Sequence, residues 1–304
     1  MTRKSFITYC LFVVFCLVVL IIFQFPDGKL HIYYCDVGQG DGIYIRLPNQ
    51  ADVLIDGGPD GKILACLGKY MPFYDRTIDL VLLTHPQKDH LQGLIDVLKR
   101  YTVLHFSSTP IRHSIEGYHE LAETIHAKKI PVSYLKVGDV IDFKDATFSV
   151  LWPEIKWLEE LFPVSELSEQ YSIKDRLEGL RTDEDLNFFS LYLNLRYGNF
   201  DALFTGDGDS QVQELFEKYN VTKNLPENVD VLKVPHHGSK TGVTQNFLNQ
   251  LTPRLSIISV GKNSYGHPAD IVLTQLQKYG EVLTTQKQST IQVVTDGKQV
   301  DVFY

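Results

Sequence analysis

The pattern of apolar and polar positions divides the chain into a long uncharged start and a body of short alternating segments. From Ser5 to Phe25 there is no charged residue, and Leu, Ile, Val and Phe dominate. That is about the length a helix needs to cross a bilayer. A cleaved secretory signal would have a shorter apolar core and a small-x-small site, but bulky Ile21, Ile22 and Phe23 run straight into "QFPDGK". The expectation is an uncleaved transmembrane helix over residues 5–25. Arg3 and Lys4 stand before it, so residues 1–4 are expected in the cytoplasm and the remainder outside the membrane.

Beyond the anchor the apolar period changes. "LHIYYCDVGQGDGIYIRLP" reads as two strands around a Gly-rich turn, and "ADVLIDGG" as a third strand. Helical stretches are expected at Ile63–Met71, Leu91–Tyr101 and Ile115–Lys128, with strands at "IDLVLLTH" and Val103–Ser107 between them. Short strands fill Val132–Trp152. Residues 154–185 are rich in Glu, Asp, Ser and Leu and read as a solvated, partly helical surface insertion. Strands return in "NFFSLYLNLRYGNFDALFTGD", where Gly198-Asn199 marks a hairpin. "VDVLKVPHHGS" and "LSIISVGKNSYGHP" then alternate with helices at Gln211–Tyr219, Val243–Leu251 and Ile271–Tyr279, and a last hairpin turns at Asp296-Gly297. Both halves run strands first and α/β alternation second, which predicts two packed sheets with helices outside over residues 30–304.

Composition changes this picture little. Of 304 residues, 44% are hydrophobic and 22% charged, ordinary for a globular protein. The formal net charge of −8 gives no bulk attraction to a polyanion, so a nucleic-acid substrate would need a local basic strip or a metal. Four cysteines do not make a disulfide framework. Cys10 and Cys16 fall in the anchor, and Cys35 and Cys66 are expected as small core residues rather than a bonded pair.

Metal-type side chains collect where strands end. Asp56 ends one strand and His85 the next; Asp207 ends a third, His236 and His237 a fourth, and His267 follows a fifth. Loops after strands are where layered α/β proteins build sites. In "THPQKDH", His85, Asp89 and His90 sit within one tight turn, and imidazole and carboxylate are the usual ligands of zinc, manganese or iron. Asp207 in "LFTGD" is placed to bridge two ions. Of the histidine pair, one is expected to face inward and one outward.

Taken in order, "DVGQGDGIYI", "LIDGG", "LTHPQKDHLQGL", "LFTGD", "LKVPHHGS" and "ISVGKNSYGHP" resemble the metallo-β-lactamase superfamily, and in particular the C-terminal hydrolase domain of the ComEC/Rec2 competence proteins. The resemblance runs from about residue 30 to the C-terminus, without the many-helix channel part of those proteins. It implies an α/β fold, an αββα four-layer sandwich with a metal centre at one edge, and metal-assisted hydrolysis through a bound hydroxide. Asp56 matches the carboxylate that supports the metal loops, His85 a ligand of one ion, Asp89 and His90 ligands of the other, and Asp207 the bridge. His267 or His236 would be the last ligand. Asp89, Asp207 and His237 are the catalytic candidates.

Two departures bear on the metals. Gln87 stands where the superfamily has His, or Asp in ComEC-like domains, and Asn187 and Ser190 are the nearest polar residues where a further histidine is usual. One firm divalent site, zinc or manganese, and one weak or absent site are therefore expected. Ser239, Lys240, Thr241, Lys262, Asn263 and Tyr265 are candidates for substrate contact. The anchor is expected to make the protein single-pass with its body extracytoplasmic, and the resemblance implies a phosphodiesterase, a nuclease acting on DNA with a link to DNA-uptake machinery. The alternatives are hydrolysis of another substrate, such as an envelope phosphoester or lactone, and a non-catalytic binding protein with a degenerate metal site.

Overall fold

The computed structural model describes residues 3–22, 26–173 and 176–304, and within the first helix the side chains of residues 5–15. That helix, α1 (Arg3–Ile22), exposes Phe6, Leu11, Phe12 and Phe15. Among the described residues no helix is long and apolar enough to cross a membrane, and residues 23–25 of the expected anchor lie outside them.

The body alternates strands and helices along the chain. β1 (Leu30–Tyr34), β2 (Ile43–Arg46) and β3 (Asp52–Ile55) lead to α2 (Ile63–Tyr70), β4 (Thr77–Ile78), β5 (Leu80–Leu83) and α3 (Lys88–Arg100). β6 (Thr102–Val103), β7 (Phe106–Ser108), α4 (Glu116–Lys128), β8 (Val132–Tyr134), β9 (Val140–Asp142) and β10 (Ala146–Trp152) follow. Then come α5 (Ile155–Leu161), α6 (Val164–Ser172), β11 (Tyr192–Tyr197), β12 (Phe200–Phe204), α7 (Ser210–Lys218) and β13 (Val231–Lys233). The chain closes with α8 (Gln245–Leu251), β14 (Leu255–Ile258), α9 (Asp270–Leu276), β15 (Glu281–Thr284), α10 (Thr285–Gln288), β16 (Ile291–Thr295) and β17 (Val300–Phe303).

Two sheets carry the fold, in the orders β17-β16-β1-β2-β3-β5-β7-β8 and β15-β14-β13-β12-β11-β10-β9, beside a two-stranded β4-β6 pair. Side chains alternate across each strand, so each sheet has two apolar faces to cover. Ile32, Tyr34, Ile43 and Ile55 of one sheet meet Phe148, Leu193, Leu195 and Phe204 of the other in a central core. On the outer face of the first sheet, Tyr33, Leu54 and Val81 pack on Leu91, Leu94, Leu98 and Leu121 of α3 and α4. On the outer face of the second, Trp152, Leu203 and Leu232 pack on Phe216, Phe247 and Val272. Helix, sheet, sheet and helix thus form four layers.

Two expectations change here. Residues 154–185 are not merely a solvated insertion: Trp157, Leu158, Phe162 and Leu167 of α5 and α6 are buried in the second outer core. Cys35 and Cys66 are bonded to each other, with Cα atoms 5.9 Å apart. β1 ends beside α2, so the two thiols meet although their sequence surroundings are apolar.

In each sheet one run of neighbouring strands is parallel: β3, β5, β7 and β8 in one, and β12 to β15 in the other. Their C-terminal ends therefore share an edge, which is where open parallel sheets bind ligands.

Candidate metal centre

Each candidate side chain is delivered by one of those strand ends or by the helix that follows. Asp56 comes directly after β3 with φ 57°, a left-handed turn that aims its carboxylate at the next strand. Its Oδ1 accepts from the Thr84 backbone N–H at 2.8 Å, and its Oδ2 from Thr84 Oγ1 at 2.7 Å and His90 Nδ1 at 2.8 Å. His85 follows β5. Asp89 and His90 lie in the first turn of α3, whose N-cap is Gln87.

Glycines allow these segments to touch. A Cβ on Gly93 would fall 2.0 Å from Gly57 O, and one on Gly40 would fall 2.3 Å from Asp89 O. In their place run main-chain bonds from Gly57 N to His90 O, Gly93 N to Gly58 O and Asp41 N to Asp89 O.

The other sheet supplies Asp207 after β12, with its N–H bonded to Ser190 Oγ at 3.1 Å. His236 and His237 follow β13 with φ of 49° and 52°. Left-handed backbone of this kind costs about 1–3 kcal/mol per residue and is characteristic of functional sites. It turns His237 inward, where its Nδ1 lies 2.9 Å from Ser259 O and its Nε2 3.2 Å from Asp207 Oδ2 and 3.4 Å from Asp89 Oδ2.

The three buried histidines share one arrangement. A carbonyl or carboxylate only accepts, so His237 donates Nδ1–H to Ser259 O and His90 donates Nδ1–H to Asp56. Thr84 Oγ1 gives its hydrogen to Asp56, so at 3.1 Å it accepts from His85 Nδ1. In the neutral ring each Nε2 then carries the lone pair, buried and without a hydrogen-bond partner, as is Asp207 Oδ1. Buried polar atoms normally find partners. Imidazoles held through one nitrogen and bare at the other are how metal sites orient histidine. Candidate ligand atoms of Asp89, His90, Asp207 and His237 all lie within 4.8 Å of one another, so the residues present fit a divalent cation. A second acidic group, Asp41, Asp56 and His90, lies alongside, but its Asp56 oxygens are already hydrogen-bonded.

The electrostatics follow from the same contacts. Burial alone would push the Asp207 carboxyl up, but His237 and His90 outweigh it and hold it well below the usual range. Burial depresses His237, yet Asp207, Asp89 and Asp41 bring it up to about 9. His90 is raised against its burial by Asp207 and Asp56. Burial, then the neighbouring His90, drives His85 well below its ordinary value. The carboxylates are in effect drawing protons onto imidazoles where a cation would serve, and binding one would displace those protons.

The centre opens into a cleft of about 910 Å³, lined by Gln87, Asp89, His236, His237, Asn263, Tyr265 and His267, with Lys62, Lys88 and Lys262 on its rim. His236 and His267 stand at this mouth, their rings 5.7 Å apart, and the structure brings His237 rather than either of them against Asp207. Gln87 lines the cleft beside Asp89. Asn187 is buried next to Ser190, its Oδ1 unpartnered. Asn263 holds its own loop, bonding Gly261 O, His267 O and the Tyr265 and His267 N–H groups, while Tyr265 is 74% exposed. Ser239 and Thr241 bond to each other and Thr241 to Asp209, away from the cleft, and exposed Lys240 lies between them.

The sequence reading passed over two residues that the structure puts in the centre. Asp41 is buried in the Gly-rich turn after β1, and Lys233 is the last residue of β13. A lysine within the apolar run "VDVLKVP" was the available signal, because lysine is almost never fully buried unless paired.

No protein-family model matches the chain. Over 298 residues it is 30% identical to ComE operon protein 3 of Bacillus subtilis, covering 91% of this chain and 35% of that protein. It is 35% identical over 274 residues to competence protein ComA of Neisseria gonorrhoeae, covering 88% of this chain and 32% of that one. The chain thus spans about a third of the length of these curated relatives. Among solved structures it is similar to the metallo-β-lactamase fold protein YhfI of Bacillus subtilis, at TM-score 0.54 and 12% identity over 88% of this chain and all of that one.

Proposed function

From a chain that has the metallo-β-lactamase fold and resembles competence proteins over nine-tenths of its length, we propose a metal-dependent hydrolase that cleaves the phosphodiester bonds of DNA. The observation that carries this reading is the convergence of Asp89, His90, Asp207 and His237, three of which line a cleft that Lys62, Lys88 and Lys262 also line.

Those four residues would hold the ion, with His85 beside them. When bound, a divalent ion supplies Lewis acidity and acidifies water for attack on phosphorus. The chain's own groups account for the rest. Asp56 fixes the His90 tautomer, and Ser259 O fixes that of His237. Of the two carboxylates of the group that line the cleft, Asp89 is the more exposed, at 31% of its side chain against 2% for Asp207, so it is placed to orient a nucleophilic water and accept its proton. Lys62, Lys88 and Lys262 provide the local positive strip that an acidic chain otherwise lacks, and Tyr265 offers a face for a base.

The proposed location is outside the cytoplasmic membrane. Support comes from Arg3 and Lys4 at the start of the exposed, otherwise uncharged helix α1 and from the Cys35–Cys66 disulfide, a bond that persists in oxidising compartments. The decisive assay incubates the purified chain with single- and double-stranded DNA and Mn²⁺ or Zn²⁺. Cleavage that is lost in Asp207→Ala supports the reading; no cleavage of DNA or of a generic phosphodiester with either ion ends it.

A further inference from the structure

One charged group in the centre has no part in holding the ion. Lys233 ends a fully buried strand and is itself 0% exposed. Its Nζ pairs with Asp41 Oδ2, donates to Gly206 O at 2.8 Å and stands 3.8 Å from Asp207 Oδ1. An ammonium has three donors and no acceptor, which suits a pocket made wholly of oxygens. Asp41 is tied in turn to the histidines, its carboxylate lying 3.5 Å from His237 Nδ1 and 3.8 Å from His90 Nδ1.

Asp207 is thereby divided. Its Oδ2 faces His90 Nε2 at 3.4 Å and His237 Nε2 at 3.2 Å, while its Oδ1 faces Lys233. A carboxylate that bridges two metal ions divides its oxygens in the same way, one towards each cation. Here one of the two cations is already part of the chain.

We propose that the Lys233 ammonium is the second cation of the centre, occupying the side of Asp207 that a second ion would use, so that the protein holds one divalent ion. This rests on the metal-dependent reading above and names what the site takes. The missing histidine at Gln87 is then an accompaniment of single-ion binding rather than its cause. A fixed ammonium would offset part of the negative charge that gathers on a phosphoryl group, without leaving the site between turnovers.

Counting ions tests this without any substrate. Metal-stripped protein is dialysed against Mn²⁺ or Zn²⁺ and the bound metal is measured per folded chain. The wild type is expected to hold one ion, and Gln87→His, with Lys233 in place, still one. Lys233→Met is expected to gain a second ion, bound at least tenfold more tightly than any second ion in the wild type. Two tight ions in the wild type overturn the proposal, as do two in Gln87→His or a folded Lys233→Met with unchanged count and affinity. If Lys233→Met does not fold by circular dichroism, the wild type and Gln87→His still decide. A failed nuclease assay leaves the ion count unaffected, so the two readings fail separately.

Discussion

Asp56 holds His90 from behind: Nδ1 of the imidazole lies 2.8 Å from the carboxylate, while Nε2 lies 3.4 Å from Asp207 on the opposite side. One hydrogen bond therefore sets both the tautomer and the direction of the lone pair. Asp56→Ala is expected to weaken metal binding by about 10–100-fold, the usual effect of removing such a support. Competition with a chromophoric chelator measures it, and an unchanged affinity would show that packing alone orients the ring.

Tyr265 is expected to act on substrate binding and not on the ion. Stacking of a base on an exposed aromatic is worth about 1–3 kcal/mol. Tyr265→Ala should raise KM for single-stranded DNA by roughly tenfold, with kcat and metal content nearly unchanged. A fall in kcat at constant KM would place the ring elsewhere in the cycle.

The disulfide closes a loop between residues separated by 31 positions. Chain-entropy arguments give about 3–4 kcal/mol for a loop of that size. Thermal unfolding with and without a reductant is expected to show a lower Tm in the reduced protein, and Cys35→Ser/Cys66→Ser should reproduce it. Coincident curves would mean that the bond adds nothing to stability.

Asp52 makes stability depend on pH. It starts β3, the strand that ends beside Asp56, and burial pushes its carboxyl up to about 7 against the hydrogen bonds from Tyr44 and Arg46. A folded-state value above the unfolded one means that the folded protein keeps a proton the unfolded chain has lost. The contribution is full below about pH 4 and is lost as pH rises through about 7, on the order of 4 kcal/mol at most. Urea midpoints for wild type and Asp52→Asn at pH 5 and 8 check the sign. The wild type should lose more stability over that interval than the variant.

Much of the centre was legible because the chain places polar residues where apolar runs stop. Asp56, His85 and Asp207 each follow a buried strand, and a strand end in a parallel sheet points to the binding edge. What was not legible depends on backbone angles and on partners distant in sequence. His236 and His237 are chemically identical neighbours, and only two successive left-handed residues decide which one enters the site. Asp41 reads as part of a hairpin turn, and its role appears only when Lys233 arrives from the other sheet. The Cys35–Cys66 bond was hidden for a related reason, since apolar surroundings describe both a buried thiol and a buried disulfide.

The glycine contacts at Gly40, Gly57 and Gly93 bear on how fast an ion enters and leaves. Main-chain bonds lace the turn before Asp41, the segment after Asp56 and the first turns of α3 to one another. The ligands are thus held by peptide groups that do not depend on the ion. Preorganisation of this kind removes the cost of ordering side chains and loops at the moment of binding. Ion uptake should then proceed without a folding phase, at a rate governed by water leaving the cleft, and calorimetry should register the heat of ligand exchange with little change in heat capacity.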